Sequence, residues 1–336
     1  MDNENPHARL YYLFGATSPT PRLPWLARFP AEIFAIPVGL LSLVNAWSQA
    51  GTYGWRIATD VASVLIWPTT AIWILALLLY AAKCRRYPGM VAQESRHPVQ
   101  GSLQALLPLS VLLAVTFFGR PEQGIWLVFA MLAIGSLAFI VFRIGIVLAT
   151  GQMPRNAVTP ALYLPFVGSA LAGAMAFASL RHSGWSALLF GTGLSGWALL
   201  EIRILRNQFA GPMPEALRST IGTELMPPMV ATLTAAMLWP DLPDDVLLVG
   251  IGVGLVSLVS VLARYRQWST VPFSIGLWSF SFPLAAFAGV AIEMVRRGAW
   301  PLWAGQGVLL TVSVVIALLC VRTMLLLTRG KILPVG

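Results

Sequence analysis

Residues able to do chemistry are few in this chain. Only 10% of the 336 residues are charged. His7, His97 and His182, and the two cysteines Cys84 and Cys320, lie in separate segments, without the spacing that gathers metal ligands. No phosphate loop, dinucleotide fingerprint or nucleophile motif occurs. Neither a metal centre, a cofactor nor an enzymatic activity is therefore expected. Two features remain. Glu224 interrupts the apolar run 219–240, just before Pro227 and Pro228. An ionisable group at membrane depth is costly and is a functional candidate by default. Two readings of it stay open: a proton or coupling-ion site, or a neutral glutamic acid hydrogen-bonded to a backbone carbonyl loosened by the prolines. The second feature is SIGLWSFSFPLAAFAG, residues 274–289, where Trp278, Phe280 and Phe282 alternate with serines, including Ser279, and run into Pro283.

The elements that position these residues must lie in lipid. With 57% hydrophobic residues and so few charges, the chain lacks the roughly 25% charged residues of a soluble domain. Ten apolar runs can be read, at 33–55, 61–82, 99–119, 125–142, 156–180, 183–200, 219–240, 246–263, 267–292 and 302–321. Each is near the roughly 20 residues that span the hydrocarbon as a helix, and backbone in lipid must satisfy its own hydrogen bonds. The fold class is therefore an all-α integral membrane protein with ten transmembrane helices. One membrane domain is expected over 31–329, flanked by a polar, proline-rich tail at 1–30 and a short tail at 330–336.

Charge sets the expected orientation. With the N-terminus inside, 17 of the 22 basic residues face one side, and only Arg56, Arg120, Arg181, Arg296 and Arg297 face the other. The positive-inside rule then puts both termini in the cytoplasm, as an even span count requires. In a reducing compartment no disulfide is expected between the cysteines, which sit at cytoplasmic span ends. The basicity is a topology signal. It forms no cluster on a folded polar face, so no nucleic-acid partner is expected.

Prolines reveal a repeat. Pro37, Pro108, Pro165, Pro227 with Pro228, and Pro283 fall inside odd-numbered spans, whereas among even spans only the second has one, Pro68. The unit is a helical hairpin used five times. An interior proline removes a helical hydrogen bond, and the carbonyl four residues earlier must find protein or water. That predicts freed carbonyls at Ile33, Gln104, Ala161, Thr223, Glu224 and Ser279, and five kinked helices facing a central pathway. Packing alone also explains any single proline. Gly39, Gly168, Gly173, Gly222, Gly276 and Gly289 on odd spans permit close approach of helices or a solute.

Six segments then carry a resemblance: IPVGL (36–40), ESRHPV (94–99) with ALLPLS (105–110), TPALYLP (159–165), LRSTIG (217–222), GLWSFSF (276–282) and VRTMLLLTRGKIL (321–333). In this order the chain resembles the TehA family of tellurite-resistance proteins and C4-dicarboxylate transporters, to which the plant guard-cell slow anion channels also belong. The resemblance covers essentially the whole chain. It implies five hairpins in quasi-five-fold arrangement around a central pore, a homotrimer in the inner membrane of a prokaryote, and a gating phenylalanine on the ninth helix at Phe282. The family's inner-helix kinks fall on Pro37, Pro108, Pro165 and Pro227. Two positions depart from it: Pro283 where relatives place glycine, which would stiffen the gate, and Glu224 where they carry an apolar or amide side chain. An ionised Glu224 in the pore would repel anions, so there it must be protonated or turned away.

The leading expectation is an anion channel, or channel-like transporter, closed by Phe282. Its apolar lumen, including the Gly39 stretch, would let weakly hydrated anions pass without trapping them. The rival is a proton-coupled transporter of dicarboxylates or oxyanions using Glu224, although no Arg or Lys falls mid-membrane on an inner span to bind a divalent anion. An intramembrane enzyme acting on tellurite is a third, without a nucleophile or metal cluster to serve it.

Overall fold

The computed structural model describes residues 24–154, 157–211 and 213–333. The tails expected at 1–30 and 330–336 therefore fall partly outside the described residues, as do His7, Arg9, Arg22 and Arg155. Among the described residues ten helices are long and apolar enough to cross a membrane: α1 Ala31–Thr52, α2 Arg56–Arg86, α3 Pro98–Phe118, α4 Gly124–Ala149, α5 Pro160–Ser179, α6 Ser183–Phe209, α7 Glu215–Leu238, α8 Asp244–Ala263, α9 Ile275–Arg296 and α10 Leu302–Thr328. No strand occurs among the described residues.

Burial separates the ten into two shells. Between 72% and 89% of the most apolar 18-residue stretch is buried in each odd span, against 22% in every even one. Each odd span packs on the even span that follows it, giving five hairpins, and α1, α3, α5, α7 and α9 pack one on the next and back to α1 as a closed ring. The even helices wrap this ring and leave Trp67, Phe139, Leu199, Val256 and Leu318 exposed on their outer faces. In water such a surface would aggregate. In a bilayer it is the solvent-facing side.

The shells also differ in backbone. Every even span is one uninterrupted α-helix, and its single interior proline, Pro68, faces outward. Every odd span changes helical form near its proline. In α1 a 3₁₀ turn, Ala31–Phe34, precedes α-helix Ala35–Thr52; in α7 a longer 3₁₀ segment, Glu215–Leu225, precedes Met226–Leu238; in α9 Ile275–Phe280 precedes Ser281–Arg296. The α3 span breaks between Pro98–Leu103 and Leu106–Phe118, and α5 runs through a 3₁₀ turn and a π turn, Leu164–Gly168, before Ser169–Ser179. The five N-terminal pieces pack on one another as a second closed ring, stacked on the first.

Sequence periodicity predicted prolines inside kinked helices, and their register differs from that. Pro37, Pro108, Pro228 and Pro283 are each the third residue of an α-helical half, and Pro227 the second. In the first turn an amide has no intrahelical partner, so proline there removes nothing. The predicted free carbonyls are correspondingly fewer. Gln104 O accepts from Leu107 N at 3.2 Å, and Thr223 O accepts from the Met226 amide. The tighter turn satisfies them within the chain rather than turning them to a lumen.

Indole donors staple the shells together. Trp47 Nε1 donates to Ser313 Oγ at 3.0 Å, Trp73 Nε1 to Ser110 Oγ at 3.0 Å, and Trp278 Nε1 to Thr323 Oγ1 at 2.9 Å. Each removes a polar atom from a lipid-embedded interior where it would otherwise be unsatisfied. Ahead of α3, the short helix Pro88–Arg96 contributes Glu94, whose Oε1 accepts from Ala31 N at 2.8 Å. Its Oε2 pairs with Lys83 at 2.7 Å, and Lys83 also reaches Phe29 O at 2.7 Å. This buried clamp fixes the chain at the entry to α1.

Candidate functional site: an axial cavity lined by Phe282

The two stacked rings meet at a cavity on the axis to which all five odd spans contribute. Glu32, Ala35 and Val38 come from α1, Leu103 and Leu106 from α3, Leu164 from α5, Thr220, Thr223 and Met226 from α7, and Gly276, Ser279 and Phe282 from α9. The three-residue spacing follows from the backbone. In a 3₁₀ helix residues i and i+3 eclipse one another, so a stripe of every third residue runs straight along the axis instead of drifting around the helix. The short 3₁₀ pieces of α1, α7 and α9 therefore start each of these spans on a row facing the centre.

The cavity holds about 30 Å³, room for roughly two waters and not for an ion with its hydration shell. Its wall is almost entirely carbon. The three hydroxyls are engaged with backbone: Thr223 Oγ1 donates to Thr220 O at 2.7 Å, Thr220 Oγ1 to Leu217 O at 2.8 Å, and Ser279 Oγ to Ser219 O at 3.0 Å. Their protons are committed, which leaves few donors for a passing solute. A second, wider cavity of about 360 Å³ lies at the C-terminal ends of the inner spans, bordered by Gln49, Tyr53, Ser179, Met237, Glu293 and Arg296. There Arg296 sits 5.3 Å over the Tyr53 ring, and Arg297 Nε pairs with Glu293 Oε1 at 2.8 Å.

The aromatic run on α9 divides its rings among three surroundings. Phe282 is 4% exposed and lines the axial cavity beside Pro283 and Ser279. Trp278, one turn earlier, also borders the cavity and is tethered outward through its indole to Thr323. Phe280 points away and packs against Trp268, ring centroids 5.2 Å apart. Of the three rings at this site, Phe282 is thus the one at the cavity without a polar tether of its own.

Other predicted positions fall off the axis. Pro37, Pro108, Pro165, Pro227 and Pro228 are buried and start the inner half-helices without lining the cavity. Gly39 serves a helix contact: a Cβ there would stand 2.1 Å from Ser281 Oγ and 2.9 Å from the Trp278 ring. It lets α1 and α9 approach closely.

Glu224 does not reach the cavity. Arg264, at the end of α8, grips it with both guanidinium nitrogens, Nη1 to Oε1 at 2.9 Å and Nη2 to Oε2. Gln208 Nε2 donates to the same Oε1 at 2.5 Å. A bidentate fork of this kind matches the geometry of a carboxylate, and the group bridges α6, α7 and α8.

Sequence reading passed over several lining residues, among them Ala35, Leu103, Thr220 and the one ionisable group, Glu32, which stands just outside the apolar run 33–55. A signal was available. Glu32 stands five residues before Pro37, the offset of Leu103 from Pro108 and of Thr223 from Pro228. Aligning the repeats on their prolines puts all three on the lining row.

The fold and site define an integral membrane protein whose five hairpins enclose a small axial cavity. Residues 28–326 match the family described as "SLAC1: Voltage-dependent anion channel", and the chain belongs to that family of anion channels and transporters. It is 28% identical over 313 residues to the tellurite resistance protein TehA homolog of Haemophilus influenzae, covering 90% of this chain and 92% of that one. Two proteins of Arabidopsis thaliana are also similar. The S-type anion channel SLAH2 is 23% identical over 80% of this chain, and the guard cell S-type anion channel SLAC1 is 21% identical over 89%. The chain spans 53% and 55% of those plant proteins.

Proposed function

We propose that the chain is an anion channel whose axial pathway is closed by the Phe282 ring, with Pro283 setting the ring's direction. The observation that carries this reading is the small apolar cavity drawn from all five inner spans, with Phe282 in its wall. A ring in a narrow apolar constriction stops an ion because the ion would have to shed its hydration shell without replacement. Moving the ring joins the cavity to the space on either side. The committed hydroxyls and carbon wall favour weak binding and fast passage over tight capture. Small monovalent anions are the proposed permeant species. Movement of oxyanions through the same route would link the chain to tellurite resistance, the property for which its Haemophilus relative is named. Both termini lie in the cytoplasm in this proposal, and the exposed apolar faces of the even spans meet lipid or, in a homotrimer, neighbouring subunits.

A coupled transporter using Glu224 is less well supported, because that carboxylate is held by Arg264 away from the cavity. Purified protein in planar bilayers, recorded under ion substitution, tests the choice. A channel gives currents that reverse at the anion equilibrium potential at every pH gradient. A reversal potential that follows the proton gradient, and loses that dependence in Glu224→Gln, would sink the channel reading.

A further inference from the structure

Glu32 is a carboxylate in the wall of the axial cavity with no charged partner among the described residues. It faces the cavity in line with Ala35 and Val38, and its Oε1 lies against α9, 3.1 Å from where a Cβ on Gly276 would stand. Every other carboxylate buried in the bundle has charged or polar donors. Glu94 has Lys83, Glu224 has Arg264, Glu293 has Arg296 and Arg297, and Glu201 accepts from Tyr163 and from Trp197 at 2.8 Å. Glu32 makes no side-chain hydrogen bond or ion pair among the described residues.

The elements packed on its turn are α2, both halves of α3, and the remainder of α1 and α9. The helical halves Ala35–Thr52, Pro98–Leu103, Leu106–Phe118 and Ile275–Phe280 contain no charged residue. From α2, Lys83 is occupied by Glu94 and Phe29 O, and Tyr80 sits edge-on to Phe34. Across the cavity α7 offers Thr220 and Thr223, while its Arg218 turns to Met213 O at 3.1 Å. Among the described residues no cation forms an ion pair with Glu32.

We infer that Glu32 is the proton-responsive element of the pathway: ionised, it bars anions from the axis, and protonated, it admits them. The inference rests on the axial cavity being the permeation route. At an effective dielectric constant of about 20, two like charges about 5 Å apart repel enough to lower anion occupancy on the order of 10²-fold. Uptake of one proton by the carboxylate removes that repulsion and leaves a neutral acid whose O–H can donate to an anion. The other positions on the same row, Leu103 and Thr223, cannot change charge.

Phe282→Ala protein in planar bilayers, with chloride as the only permeant anion, provides the test. Current is expected to fall tenfold or more as pH is raised from about 5 to 8. In Phe282→Ala with Glu32→Gln it should stay high and flat with pH, and with Glu32→Asp the pH dependence should return. An unchanged pH profile in the Gln variant overturns the inference. Silence of Phe282→Ala at every pH would instead strike at the gate. Infrared difference spectra of the whole protein between the two pH values then decide for Glu32: a protonated-carboxyl band that vanishes in Glu32→Gln supports it, and its absence from the unmutated protein overturns it.

Discussion

Arg264→Ala separates a structural brace from a coupling site. Arg264 makes two contacts to the Glu224 carboxylate and two more to Ser260, through Nε to the carbonyl and Nη2 to Oγ, both at 3.0 Å. The Arg264 and Glu224 side chains are 19% and 10% exposed. An exposed pair would contribute at most about 1 kcal/mol, whereas removing one partner of a buried pair costs roughly 3–5 kcal/mol because the other is left uncompensated. Partial exposure places this pair near the lower end of the buried range, about 3 kcal/mol. That is on the order of a hundredfold in the folding equilibrium and several degrees in melting temperature. Thermal unfolding in lipid nanodiscs, followed by tryptophan fluorescence, reads it directly. Glu224→Leu combined with Arg264→Met should recover most of the loss, since an apolar pair of similar volume leaves no buried charge. Wild-type stability in Arg264→Ala would refute the brace. If Glu224→Gln also abolished transport, the carboxylate would belong to the pathway after all.

Three further outcomes follow from the packing. Gly39→Val should lower stability by about 2 kcal/mol or more, because its Cβ would overlap Ser281 backed by Trp278 and an overpacked interface must shift; an unchanged melting temperature would show that α1 and α9 are not locked at this point. Lys83→Met leaves Glu94 buried without its cation and should cost roughly 3 kcal/mol, measured by the same unfolding assay, with Glu94→Gln in the same chain restoring part of it. Pro283→Gly frees the backbone at the third residue of the inner α-half, so open probability in bilayer recordings should rise. An unchanged open probability would reduce Pro283 to a helix-start residue.

The two-shell arrangement could be read from the odd-even proline bias, and the burial contrast between the shells matches it. The form of the inner helices could not. Proline in the first turn of a new half-helix and proline inside a continuous one leave the same letter in the sequence, so the 3₁₀ pieces that open α1, α7 and α9 could not be read from it. Glu224 shows a second limit. Its partner is 40 residues away at the end of the next span, so local sequence suggested a lone carboxylate where tertiary structure supplies an arginine. Glu32 shows the reverse: an acid just outside the apolar run 33–55 stands on the lining row, and only the proline-aligned repeat would have placed it there. Phe282 was singled out by resemblance rather than periodicity, which groups it with Trp278; contact with Thr323 is what sets Trp278 apart.

The most direct measurement is the chloride conductance of Phe282→Ala against wild type, in planar bilayers at acidic pH with equal reconstituted protein. Removing the ring should join the small axial cavity to the space on either side and raise conductance at least tenfold, while melting temperature stays within reach of wild type. Conductance equal to wild type, in protein shown to be folded and reconstituted, would contradict a gate at Phe282 and place the closure elsewhere along the axis.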